Sequence, residues 1–138
     1  MNYQGKISAD FISELQPDEI FVFGSNLSGH HGGGAAKTAH QKFGAQYGVG
    51  EGMTGQCYAF PTVYYNLERS LTLGEISDCV IRFLDAAKAN PQKKFLLTRV
   101  GCAIAGFIPE QIAPLFKKAM QVSNIYIPQD FFDILNKI

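Results

Sequence analysis

Residues 19–44 hold the feature that restricts this chain most: a buried strand that runs into a cluster of glycines and then into a helix. EIFVFG, residues 19–24, is short, apolar and rich in β-formers, and Gly24, Ser25 and Asn26 close it as a buried strand closes at a loop. Glycines follow at 29, 32, 33 and 34. From Gly34 to Phe43 the apolar residues Ala35, Ala36, Ala39 and Phe43 recur at helical spacing, and Gly44 stands where a helix would end. Glycine gives up more backbone freedom on folding than any other residue, roughly 0.5–1 kcal/mol in regular structure. A cluster of four therefore implies close backbone approach to something.

The alternation of strand and helix continues down the chain. Residues 46–55 (QYGVGEGMTG) read as a glycine-rich loop, and 56–60 (QCYAF) as a strand before Pro61. Residues 72–90 carry Ile76, Val80, Phe83, Leu84 and Ala87 on one face and stop at Pro91, the clearest amphipathic helix of the sequence. KFLLTRV (94–100) is a further strand and GCAIAGF (101–107) a second loop bounded by glycine. Pro109 opens a helix reaching to about residue 121, with Pro114 disturbing its first turns; NIYI (124–127) is a strand, and Pro128 opens a last helix. Strands alternating with helices imply an α/β fold with a largely parallel sheet covered on both faces.

Bulk properties narrow the function. The chain has 138 residues, 46% of them hydrophobic, which suits one domain spanning 1–138. Twelve Lys and Arg balance twelve Asp and Glu, leaving no positive excess for nucleic acid. No signal-peptide pattern opens the sequence and no stretch approaches 18 consecutive apolar residues, so no membrane partner is expected. Three cysteines far apart, without a CxxC pair, suit a reducing compartment, the cytoplasm. Nothing calls for a cofactor or a metal: His30 and His31 are adjacent, neighbouring histidines rarely point the same way, and no cysteine lies near them in sequence.

In open α/β sheets ligands settle beyond the C-terminal ends of the strands. Both glycine loops follow predicted strands, so residues 25–35 and 101–107 are expected to share one crevice. Glycines leading into a helix leave backbone N–H groups converging on one spot, where the helix dipole adds about 0.3–1 kcal/mol for an anion. A phosphate or diphosphate is the natural guest; the plain alternative is a flexible turn that caps the helix. The common nucleotide motifs do not fit. GxxxxGK[ST] needs Lys and Ser or Thr where Ala35 and Ala36 stand, and GxGxxG needs a strand directly before its first glycine, whereas Gly29 comes five residues after Gly24.

The run from Asn26 through Gly32, Gly33, Gly34 and Ala35 to Gly44 resembles, without a gap, the signature of the macro domains, which bind ADP-ribose and related compounds. Residues 5–8 (GKIS) look like that family's opening GDIT, and residues 101–109 (GCAIAGFIP) look like its second phosphate loop STGxxGxP, with extra length here. His40 falls where the family often has a histidine. The resemblance implies a three-layer α/β/α sandwich with a mostly parallel mixed sheet. It also implies a ligand of the ADP-ribose class, free or carried by an ADP-ribosylated protein, with the diphosphate on the amides of Gly32–Ala35 and Asn26 near the distal ribose.

Two departures bear on catalysis and specificity. The acidic residue that hydrolysing members carry after the glycine loop falls on Ala36, and the aspartate that reads the adenine amine falls on Lys6. Adjacent glutamates of the poly(ADP-ribose) glycohydrolase type are absent between Gly24 and Glu51. The expected ligand-binding set is Ser25, Asn26, Gly32, Gly33, Gly34 and Ala35 from the first loop, with Gly101, Cys102, Ala103, Ile104, Ala105, Gly106 and Phe107 from the second. Phe107, or Ile104 under another gap placement, takes the family's aromatic position beside a ribose. Asn26, His30 and His31 are the candidates for a catalytic role, a loop histidine serving as acid or base. Tyr58, Phe60, Tyr64 and Tyr65 offer a base a stacking face or else pack internally. Cys102 reads as a small filler rather than a nucleophile, and Asn66, Glu68 and Arg69 receive no role.

The functional expectation is a domain that binds ADP-ribose or a related nucleotide diphosphate, with weak ADP-ribosyl hydrolase activity if it is an enzyme. Its alternatives are a phosphatase acting on ADP-ribose phosphate or a nucleotide-sugar enzyme using a loop histidine, and a non-catalytic protein-interaction domain.

Overall fold

In the computed structural model, which describes residues 1–65 and 69–138, the strands are β1 (Tyr3–Gln4), β2 (Ile7–Ser8), β3 (Glu19–Asn26), β4 (Gly52–Thr54), β5 (Cys57–Val63), β6 (Lys94–Leu97) and β7 (Ile125–Pro128). Asn66 and Glu68 lie outside the described residues. Helices α1 (Gly34–Lys42), α2 (Leu73–Ala89), α3 (Pro109–Ile112) and α4 (Gln129–Asn136) are joined by a 3₁₀ helix, Ala113–Gln121. The strands form one mixed sheet in the order β1-β2-β7-β6-β3-β5-β4. The five inner strands run parallel, and only the short edge strands β1 and β4 are antiparallel to their neighbours.

Strand β3 is the axis of the sheet. It pairs with β5 through Phe21↔Cys57 and Val22↔Tyr58, and with β6 through Ile20↔Phe95 and Val22↔Leu97. Its alternate residues enter two separate cores, as the period of two in a strand requires. Ile20 and Val22 join Tyr58, Phe60, Phe95 and Leu97 beneath α2, the 3₁₀ helix and α4, whereas Phe21 and Phe23 join Cys57, Ala59 and Leu96 beneath α1. Phe83 of α2 sits at the centre of the larger core, 5.1 Å from Tyr58, 6.0 Å from Phe60 and 6.0 Å from Phe95 between ring centroids. Helix α2 begins at a reciprocal cap in which the Thr72 hydroxyl accepts from the Glu75 amide and the Glu75 carboxylate accepts from the Thr72 amide. Among the described residues no helix is long and apolar enough to cross a membrane.

Several elements differ from the sequence reading, each for a local reason. β3 continues through Ser25 to Asn26 because β5 continues beside it past Pro61. Pro61 is tolerated there because β4 pairs only with residues 57–59, so the proline's missing N–H interrupts no bond on that side. Residues 52–54 form an edge strand inside what reads as a loop. The helix expected over 109–121 is broken into α3 and a 3₁₀ segment, with Phe116 at φ −96° and ψ 16°. Pro114 lacks the amide that an α-helix would use there. Strand β6 stops at Leu97, which releases residues 98–100 to the second loop.

Truncating Phe83 to Ala is expected to lower stability by about 3–5 kcal/mol, read as a fall in the urea midpoint at unchanged m-value.

Candidate functional site

The glycine loop is anchored by the side chain that ends β3. Asn26 Oδ1 accepts hydrogen bonds from the Ser28 hydroxyl (2.6 Å) and the His30 amide (3.0 Å), and Asn26 Nδ2 donates to the His30 carbonyl (2.8 Å). Both ends of residue 30 are thus clasped by one amide. Ser25, its neighbour, donates its hydroxyl to the Gly50 carbonyl. Two glycines then let the backbone of residues 46–50 lie directly against this loop. Gly29 has φ +71°, and a Cβ there would stand 2.5 Å from the Gly48 carbonyl carbon and the Val49 nitrogen. A Cβ on Gly50 would stand 2.5 Å from the Leu27 carbonyl oxygen. For these two positions the close approach inferred from sequence is chain against chain.

Gly33 and Gly34 are different, because a Cβ on either would meet nothing within 4 Å; Gly34 has φ +57°, which itself favours glycine, whereas Gly33 is extended. Gly33 is the N-cap of α1 and supplies no side-chain cap; the Lys37 amide bonds back to the Gly33 carbonyl at 3.2 Å. The amides of Gly34, Ala35 and Ala36 before it have no intrahelical acceptor, as at any helix start, and no acidic residue stands in this first turn. The three residues line a cavity of about 640 Å³ at the ends of β3, β5 and β6. The far wall is apolar, built from Val63, Val100, Ala103, Ile104 and Ala105.

Charge in the cavity is sparse. Among the described lining residues there is no carboxylate, and Arg99 is the one Lys or Arg. Its guanidinium is held by Asp130 at 2.8 Å and Asp10 at 3.6 Å. His30 is the other ionisable lining residue; its ring stacks on Tyr47 with centroids 6.0 Å apart. No group of three or more His, Cys, Asp or Glu among the described residues is placed to hold a metal ion.

Of the residues singled out from sequence, the structure gathers Ser25, Asn26, His30, Gly32, Gly33, Gly34, Ala35, Gly101, Ala103, Ile104 and Ala105 around this cavity. Cys102, Gly106 and Phe107 are not among its lining. Cys102 and Phe107 pack on the larger core instead, and burial pushes the Cys102 thiol up to about 11, which keeps it from acting as a thiolate. Tyr58 and Phe60 are buried in that core, Tyr64 lies under the Arg69 guanidinium at 4.1 Å, and Tyr65 meets Tyr64 edge to face. None of these four rings lines the cavity.

His31 requires a correction. It is 1% exposed and lies behind the loop rather than in the cavity, its Nε2 donating to the Gln46 carbonyl at 2.8 Å and its ring edge-on to Phe23. Its Nδ1 is buried without a partner. Burial holds the imidazole below the ordinary histidine range, against the Gln46 hydrogen bond that raises it and with His40 and His30 adding to the depression. Asn26 too has most of its side-chain bonding capacity taken up by the loop.

Sequence reasoning passed over Thr62, Val63, Thr98, Arg99 and Val100 as site residues, all of which line the cavity. They belong to strand ends that a linear pattern reads as core; only knowledge of which strands are neighbours brings them to one place. With the geometry in hand, no family model, curated protein or solved structure matches the chain. Its class rests on its own architecture: an α/β domain whose uncapped helix start opens on a cavity at the ends of parallel strands.

Gly29→Ala is expected to destabilise the protein by on the order of 2 kcal/mol or more, from positive φ and collision with a backbone that cannot yield, measured by urea unfolding. His31 generates a second expectation. Because its folded value lies below the unfolded value of about 6.5, the unfolded chain takes up the proton first. Stability is full above that value and declines as pH falls toward the folded one; in His31→Gln the decline should flatten, as read from urea midpoints at several pH values.

Proposed function

We propose that the chain is a macro-domain-like three-layer α/β/α domain that binds ADP-ribose or a related nucleotide diphosphate in this cavity. One observation carries the reading: Gly33, with extended backbone that any residue adopts, stands open beside the cavity at an uncapped helix start, and neither packing nor backbone conformation within the chain calls for a glycine there. Converging amides at the positive end of a helix suit a diphosphate. A volume near 640 Å³ lies in the usual range for small-molecule sites, and the apolar wall of Val63, Ile104 and Ala105 suits sugar and base. Gly32 to Gly34 are exposed and Ile104 is 72% exposed, so the ligand is reachable from solvent free or attached to a protein.

Binding is favoured over hydrolysis by the lining itself. Ala36 occupies the wall where a hydrolase would carry its acid, and no carboxylate among the described lining residues replaces it. The phosphatase reading keeps one supporting observation, the presence of His30 at the cavity.

Calorimetric titration tests the proposal. ADP-ribose should bind more tightly than AMP, which lacks the diphosphate. Gly33 has extended backbone, φ −157°, and open space, so Gly33→Glu should fold normally while placing a carboxylate at the phosphate position. Affinity for ADP-ribose should fall at least tenfold, about 1.4 kcal/mol. No saturable signal for the wild type at about 1 mM ligand, the scale of a binding energy near −4 kcal/mol, would overturn the reading.

A further inference from the structure

We propose that His30 is the proton-carrying ligand of this cavity: its imidazolium donates Nε2–H to a phosphate oxygen seated on the first amides of α1, so the site prefers phosphate-class anions when His30 is charged. The inference rests on the diphosphate reading above and adds to it the residue that sets charge selectivity. Its first support is position. The Nε2 atom stands 2.9 Å from where a Cβ on Gly32 would be, so the ring lies over the glycine loop itself. A side chain at 32 would push the ring aside.

The second support is that the ring nitrogens are left free. The Asn26 clasp holds residue 30 by its backbone N–H and C=O alone and leaves the ring nitrogens out of it. Tyr47 backs the ring at an interplanar angle of 22°. The residue is exposed and lines the cavity, so its ring nitrogens are within reach of a ligand there. The other two histidines are otherwise engaged: His31 donates to the Gln46 carbonyl and His40 Nδ1 to the Ala45 carbonyl. His30 alone among the three lines the cavity.

The third support is the surrounding charge. The titratable groups about His30 are Tyr47 on its face, His31 behind it in the chain, and Arg99 on the cavity wall with its carboxylates Asp10 and Asp130. Arg99 is already paired, with Asp130 at 2.8 Å and Asp10 at 3.6 Å. With no carboxylate among the described lining residues to compete for it, an imidazolium at position 30 adds an unpaired cation beside a bound phosphate. Charge-assisted bonds of this kind are about twice as strong as neutral ones.

Proton NMR resolves the three histidines and tests the inference directly. The titration of each imidazole is followed with and without inorganic pyrophosphate, and with and without ADP-ribose, in the wild type and in His30→Gln. Ligand should raise the His30 titration by about one unit while His31 and His40 move little; by linkage, affinity for ADP-ribose then rises roughly tenfold as pH falls through that range. The diphosphate diester of ADP-ribose does not titrate there, so the slope reports the protein. In His30→Gln the affinity should equal that of the wild type at high pH and lose its slope. Ligand binding that shifts the α1 amides but leaves His30 unmoved, or a slope retained in His30→Gln, would overturn the inference and leave the diphosphate reading standing. A His30 shift with pyrophosphate but no binding of ADP-ribose would support it and overturn the nucleotide reading. Failure of both ligands to bind would overturn both.

Discussion

The site depends on two backbone segments that touch without side chains between them. Where residues 26–29 meet residues 48–50, Gly29 and Gly50 bring main chain against main chain, and the Gly48 amide donates to the Gly29 carbonyl at 3.0 Å. This contact, with the Asn26 clasp, determines where residue 30 lies and from which direction the chain enters α1. The buried imidazole of His31 sits in the same seam, joined to the Gln46 carbonyl. Fold and site are coupled here: what fixes the loop is a set of short polar contacts, not the hydrophobic core.

The cores have a different task, which is to hold three parallel strand ends at one level. Phe21 and Phe23 on one face of β3, and Ile20 and Val22 on the other, lock its register against β5 and β6. The ends of these strands then converge, and Ser25, Thr62 and Thr98 stand side by side without any being near another in sequence. Their polar groups are turned into the scaffold, the Thr98 hydroxyl donating to the Val22 carbonyl at 2.7 Å. Backbone amides, one imidazole and an apolar wall are what the cavity presents.

Much of the α/β pattern was legible because strong local signals agreed with the fold. EIFVFG is apolar and β-branched enough to name a buried strand, and α2 carries its core stripe, its Thr72 cap and Pro91 as a stop. The glycine loop was legible as a place of close approach, but its four glycines proved to differ: Gly29 meets the backbone at 48–49, Gly32 lies under the His30 ring, Gly34 takes positive φ, and Gly33 alone is extended beside open space. Nothing local distinguishes them. His31 was misplaced for the same reason, since its burial follows from Gln46 and Phe23, which fold over it from distant segments. Arg99, Thr62 and Thr98 were illegible as site residues because strand order, a long-range property, brings them together. The 3₁₀ segment after Ile112 was half legible: Pro114 announced a disturbance, not its form.

The measurement that tests the central claim most directly is the change in backbone amide resonances of the isotopically labelled protein on adding ADP-ribose. If the helix start is the diphosphate site, the largest shifts fall on Gly33, Gly34, Ala35 and Ala36, with smaller ones at 101–105 and none along the 3₁₀ segment. Saturable binding that shifts residues elsewhere and leaves these four amides unmoved would contradict it.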